Sequence, residues 1–164
     1  MYSVKKVKTF RGMEGEGYNA DLYRDGKKIA FVIDEGCGGE TRFEWLDLGV
    51  PKVDIIHHGY GTEPITYKGT PEEKLFVELA DSQTYTFDGH TGRKNADILV
   101  GELITIFLTK RDCKNKTVFR LASDGEGIER TIKAKFTPEI ATHIRTKYGA
   151  DLVEIVNERP EIRE

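Results

Sequence analysis

Cysteine is scarce in this sequence. Only Cys37 and Cys113 occur in 164 residues, with no CxxC pair and no Cys/His spacing of a zinc site. A disulfide scaffold and a zinc-built fold are both disfavoured, and a reduced, intracellular protein is the simple expectation. Long apolar runs are missing too. The longest, Ile98 to Leu108, is too short to cross a bilayer. The opening MYSVKKVKTF lacks the apolar stretch of a signal peptide. A cytoplasmic protein with no membrane partner is therefore expected. A basic excess is also absent. The net charge is −3, which weighs against general nucleic-acid binding, where lysine and arginine replace counterions.

Catalytic signatures are equally sparse. There is no GKS or GKT of a phosphate loop, no HExxH and no GxSxG elbow. No cofactor motif is present and no cofactor is expected. Cys37 lies between acidic residues, whereas a reactive thiolate wants positive surroundings. No repeat or linker divides the chain, and 164 residues suit a single domain spanning 1–164.

What the sequence does contain is local structure. Ala20 to Tyr23 and Lys28 to Ile33 are β-prone runs around Asp25-Gly26, a pair suited to a two-residue hairpin turn. Ile29, Phe31 and Ile33 share one face of the second run; Lys28, Ala30 and Val32 share the other. Val4 to Phe10 before the hairpin and Thr41 to Trp45 after it complete an antiparallel meander. Trp45, the sole tryptophan, is expected as a core anchor rather than a ligand platform. Glycines flank the hairpin at 12, 15, 17, 36, 38 and 39. Acidic neighbours and the lack of a following helix favour tight turns over a phosphate cradle.

Val53 to Ile56 suits a short strand or one helical turn. Thr70-Pro71-Glu72-Glu73 carries the cap, first-turn proline and N3 glutamate of a helix start. Leu75, Phe76 and Leu79 form the expected apolar stripe. Residues 81–93 are expected to be polar and turn-rich. Asn95 caps a second helix whose run from Ile98 to Leu108 is expected to be central and buried. Gly101 would then mark a close backbone approach. Lys116 to Ala122 and Ile128 to Phe136 suggest a second hairpin, with Ile128, Ile132, Ala134 and Phe136 inward. Thr137-Pro138-Glu139 starts a helix with a stripe at Ile140, Ala141, Ile144 and Tyr148, stopped at Gly149. Leu152 to Val156 is a short strand or helical turn, and residues 158–164 are expected to fray. The fold class is α+β: an antiparallel meander and a second β-hairpin packed with about three helices.

Three chemistries compete for this fold. Lys110, Arg111, Lys114, Lys116 and Arg120 fall within eleven residues, with Lys133 and Lys135 on the neighbouring strand. Such a group holds a phosphate or an acidic partner, or simply closes a helix and solvates a strand. Asp34, Glu35, Glu40, Glu44 and Asp47 offer carboxylates for metal-dependent hydrolysis, if they converge. His57, His58 and His90 join a metal site only if the fold brings them together. A Gly/Pro loop bearing Tyr60, Ile65 and Tyr67 offers an apolar docking patch.

The stretches FRGMEGEGYNADLYRDGKKIAFVIDEGCGG, and TVFRL followed by IKAKFTPEIATHIRTKYG, resemble small proteins of phages and bacterial mobile elements. The resemblance spans most of the chain and carries no catalytic residues over. It implies an accessory protein that acts by binding host factors or nucleotide signals. The expectation is a non-catalytic cytoplasmic binding protein whose partner is a host protein or a small anionic, nucleotide-like ligand. Arg111, Lys114, Lys116, Arg120, Tyr60 and Tyr67 are the binding candidates. A metal-dependent phosphodiester or nucleotide hydrolase is the alternative.

Overall fold

The computed structural model describes residues 1–58, 63–87 and 89–163. The fold is α+β, and the chain divides into two compact units, 1–104 and 105–164. Among the described residues no helix is long and apolar enough to cross a membrane.

The first unit is built on a four-stranded antiparallel meander: β1 (Tyr2–Arg11), β2 (Glu16–Arg24), β3 (Lys27–Asp34) and β4 (Arg42–Trp45). The expected hairpin turn forms, with Asp25 and Gly26 at φ of 50° and 81°. Both angles lie in the left-handed region that a turn matching strand twist requires. One row of side chains crosses all four strands: Val4 pairs with Leu22, Leu22 with Ala30, and Ala30 with Trp45. All four are buried. The deeply buried register is thus that of Ala30 and Val32, although Ile29 is buried as well.

Two hairpins and a helix follow. β5 (Val53–His57) and β6 (Ile65–Gly69) pair in register, resolving the strand-or-helix ambiguity toward strand. α1 (Pro71–Asp81) opens with a complete capping box, Thr70 and Glu73 each accepting the other's backbone N–H. Its buried face is Phe76, Val77 and Ala80, whereas Leu75 is exposed, so the expected stripe is rotated. The reason is Phe76, which is fully buried and meets the rings of Tyr2, Phe43 and Trp45 at 5.1, 5.8 and 6.1 Å. A cap fixes where a helix starts but not which side faces the sheet. The polar stretch after α1 is not simply turns. It forms a third hairpin, β7 (Thr84–Phe87) with β8 (His90–Arg93).

α2 (Ala96–Cys113) is capped by Asn95, whose Oδ1 accepts the Ile98 N–H at 2.9 Å. It is helical as expected but not buried all round, since only Leu99, Val100 and Ile104 are buried. A methyl at Gly101 would meet no atom within 4 Å, so close backbone packing does not account for that glycine. Gly12 is the opposite case. A methyl there would strike the carbonyl oxygens of Glu35 and Gly36, so the two glycine-rich flanks pack backbone to backbone. They join through Glu14 N–H donating to the Gly36 carbonyl at 2.8 Å.

The second unit centres on β9 (Thr117–Leu121), flanked antiparallel by β10 (Arg130–Ile132) and, beyond α3 (Pro138–Tyr148), by β11 (Leu152–Ile155). The expected second hairpin is present and gains a third strand. α3 lays Ala141 and Ile144 against Phe119, Leu121 and Ile155, with Ile140 and Tyr148 packed beside them. That is the expected stripe. Ile128, expected inward, is 52% exposed because β10 is only three residues long and starts after it.

Helical turns occupy most of residues 156–163, including part of the stretch where fraying is expected. Asn157 is buried and a short helix, α4 (Pro160–Arg163), follows it. The Asn157 side chain accepts the Val118 N–H at 2.7 Å. It donates to the carbonyls of Lys116 at 2.9 Å and Cys113 at 3.3 Å. One amide thereby ties the chain end to the exit of α2 and the start of β9.

Candidate functional sites

Two cavities, one in each unit, are lined by charged side chains of opposite sign. In the second unit a cavity of about 380 Å³ has Lys110, Lys114, Lys135 and Arg163 in its wall. Lys110 lies in the last turn of α2, and Lys114 stands in the turn that directly follows it. Lys135 arrives from the segment leading into α3, and Arg163 from α4. Among the described residues no aspartate or glutamate lines this cavity, and Phe136, Ile162 and Cys113 add apolar surface. Among the described residues Lys110, Lys114 and Lys135 make no ion pair, and Arg163 reaches Glu158 only at 3.9 Å. Asn157 also lines the wall, but both ends of its amide serve the backbone. It shapes the site rather than offering a free group. Burial, then Glu129 and Asp112, push the Cys113 thiol above its usual range, which keeps it protonated and a poor nucleophile.

The expected basic segment is therefore divided. Lys114 lies in the cavity wall. Arg111 and Lys116 both turn to Asp112, at 3.6 and 3.4 Å. Arg120, on β9, meets Glu154 at 3.3 Å, and Arg159 meets the same carboxylate at 2.5 Å. Arg159 holds the Glu154 carboxyl below the usual glutamate range, with Arg120 adding to the effect against the opposing push of burial. Arg163, Phe136 and Ile162 were not among the expected binding residues. Nothing local marks them, because they meet the α2 exit only through tertiary placement.

In the first unit a cavity of about 490 Å³ is walled by residues of β4, β5, β6, α1 and the start of α2. The His57 and Ile65 pair and the Tyr67 ring face it from the β5–β6 hairpin. Tyr67 is half-buried, and its hydroxyl donates to Glu73 Oε1 at 3.0 Å. Burial and the Glu73 charge hold its proton more tightly than in a free tyrosine. Tyr60, the other aromatic binding candidate, lies outside the described residues. Trp45 is the core anchor expected of it at 8% exposure, yet it also contributes to this wall.

Among the described residues the carboxylates of residues 34–47 do not converge into a metal-holding group. Asp34 accepts the Gly36 N–H at 2.8 Å, Glu44 faces Arg42 at 3.6 Å, and Asp47 accepts the Glu72 N–H at 3.0 Å. His58 turns to Asp81 at 2.5 Å, a partner that Arg93 also meets at 3.3 Å. His57 lines the cavity, and His90 is exposed on β8. Among the described residues no three His, Cys, Asp or Glu side chains stand close enough to hold a metal ion. No protein-family model, no curated protein and no solved structure matches this chain.

Proposed function

We propose that this chain is a non-catalytic binding protein that holds a small anion of the phosphate or nucleotide class in the second unit. One observation carries the reading: four cations from three chain segments share one cavity wall that, among the described residues, contains no carboxylate. Cations at a helix C-terminus are ordinary, because they offset the helix dipole. Lys135 and Arg163 do not belong to α2, so the dipole does not explain them. Among the described residues the three lysines have no ion-pair partner; like charges so gathered repel, and an anion relieves that repulsion. Phe136 offers a flat apolar surface to a base or ring. Retention rather than turnover is favoured because lysine, arginine and a protonated thiol supply neither a general base nor an activated nucleophile. In the setting implied by the resemblance to phage and mobile-element proteins, the place of action is the bacterial cytoplasm.

Calorimetric titration with pyrophosphate, AMP, ATP and cyclic AMP at low salt tests this, with chromatography of each nucleotide afterwards. At least one is expected to bind and to be recovered unchanged. The exposed pair Lys114→Ala and Lys135→Ala together should weaken it at least tenfold. Absence of binding, or equal affinity in the double variant, would overturn the site. Recovery of a hydrolysed nucleotide would overturn the non-catalytic reading.

A further inference from the structure

The cavity of the first unit calls for a different ligand. Among the described residues no lysine or arginine lines it. Phe43 and Trp45 stack nearly parallel there, with ring centroids 5.5 Å apart and planes 7° off. Val77 adds aliphatic surface. Its three carboxylates are not equivalent. Glu73 is engaged by the Tyr67 hydroxyl and the Thr70 N–H. Glu40 and Asp97 line the same space and, among the described residues, neither is paired with a lysine or arginine.

We propose that this cavity binds a small organic cation of the amine or guanidinium class, its charged group between Glu40 and Asp97 and its carbon chain along the Phe43 and Trp45 rings. Three arguments select that class. The wall is anionic and aromatic at once, and a cation is attracted both to carboxylates and to the negative face of a ring. Carboxylates too dispersed to close on a bare metal ion still suit a cation that spans several ångströms. A volume of about 490 Å³ lies within the range of small-molecule sites.

The state of Asp97 agrees. Burial pushes its carboxyl above the usual aspartate range. The Thr41 backbone N–H opposes this, Glu40 and Asp34 add to it, and His57 opposes it. A carboxylate held there in its charged form lacks compensation that a bound cation supplies. The inference is independent of the anion reading, since no residue is shared between the two walls.

Trp45 is the only tryptophan in the chain and stands in the cavity wall, so its fluorescence reports occupancy directly. The probes are agmatine and spermidine, with AMP as the anionic control, at low salt and neutral pH. Agmatine or spermidine should give a saturable change that AMP does not. Glu40→Gln combined with Asp97→Asn should weaken it at least tenfold, while Lys135→Ala should leave it unchanged. Asn at 97 can still accept the Thr41 N–H. Should the double variant melt early, Glu40→Gln alone, on an exposed side chain, should weaken binding about threefold or more. No saturable response to either cation, an equal response to AMP, or unaltered affinity in these variants would overturn the proposal.

Discussion

The first unit carries 13 Lys and Arg against 18 Asp and Glu, a balance of −5. The second carries 12 against 10, a balance of +2, and together they make the −3 of the chain. The modest total thus conceals two surfaces of opposite character, each focused in a cavity. The contrast extends to what lies beneath. Among the described residues each unit buries two polar residues, Asp21 and Thr70 in the first, Thr117 and Asn157 in the second. In the first unit the deepest is a charge answered by charges. In the second, Thr117 is fully buried with its hydroxyl donating to the Ala134 carbonyl, and beside it Asn157 is a neutral amide answered by backbone. Charge inside a protein must be paired, whereas an amide needs only hydrogen bonds, and the two should therefore fail differently.

The largest effect is expected at Asn157. Asn157→Ala removes three hydrogen bonds and leaves the Val118 N–H buried without its partner. The cost should be about 2–3 kcal/mol, from the penalty of leaving buried backbone groups unsatisfied. Urea unfolding followed by hydrogen exchange at Val118 measures it. Exchange at that amide should rise by about two orders of magnitude. Anion affinity should fall as well, because the same side chain fixes the turn between Lys114 and β9. A change below about 0.5 kcal/mol would mean that water replaces the amide and that the clamp is incidental.

Asp21 sharpens the other side of the comparison. It is 4% exposed and meets Lys28 at 2.5 Å and Lys6 at 3.3 Å. Lys6 reaches it from an irregular stretch of β1, at a φ of 53°. Burial pushes the Asp21 carboxyl up, but the two ammonium groups together outweigh it, so its folded pKa lies below the ordinary aspartate value. The sign follows from linkage. Its contribution is fully present above the unfolded value near 3.8 and is lost as pH falls through the lower folded value. Asp21→Asn should cost about 1–2 kcal/mol at pH 7, moderated because both lysines can turn to water. The gap between variant and wild type should narrow as the pH is lowered through 4 toward 2.5. Urea midpoints across that range decide it, and a constant gap would show that packing rather than charge is lost. Asn157→Ala should show no such narrowing.

What could be foreseen from the residues alone was chemistry that acts within a few positions. Asp25-Gly26 declares its turn through backbone angles, and Thr70, Asn95 and Thr137 declare helix starts through their own hydrogen bonds. What was missed depends on distant partners. Phe76 sets the rotation of α1 because three rings meet it from elsewhere in the first unit. Lys135 and Arg163 become neighbours of Lys114 only through tertiary placement, and Asp112 and Glu154 draw Arg111, Lys116 and Arg120 to other partners. Trp45 was legible as core, but its second role in a cavity wall was not, since that needs β5, β6 and α2 around it.

The smallest effect concerns the helix caps and sets the two units against each other once more. Thr70 takes part in a reciprocal box, its hydroxyl accepting the Glu73 N–H while Glu73 accepts the Thr70 N–H. Thr137 has isoleucine at the third helical position, so only its hydroxyl works, accepting the Ile140 N–H at 3.3 Å. Thr70→Ala should cost about 1–1.5 kcal/mol and Thr137→Ala about 0.5 kcal/mol, by the usual range for caps. Burial sharpens the difference, because Thr70 is 6% exposed and water cannot readily take its place. Glu73→Gln keeps the box with a neutral partner for the Tyr67 hydroxyl, and should lose less than Thr70→Ala. Chemical unfolding of the three variants ranks them. If Thr137→Ala proves the costlier, the reciprocal bond of Glu73 contributes nothing net, and that carboxylate is held in place for the cavity it lines rather than for the helix it starts.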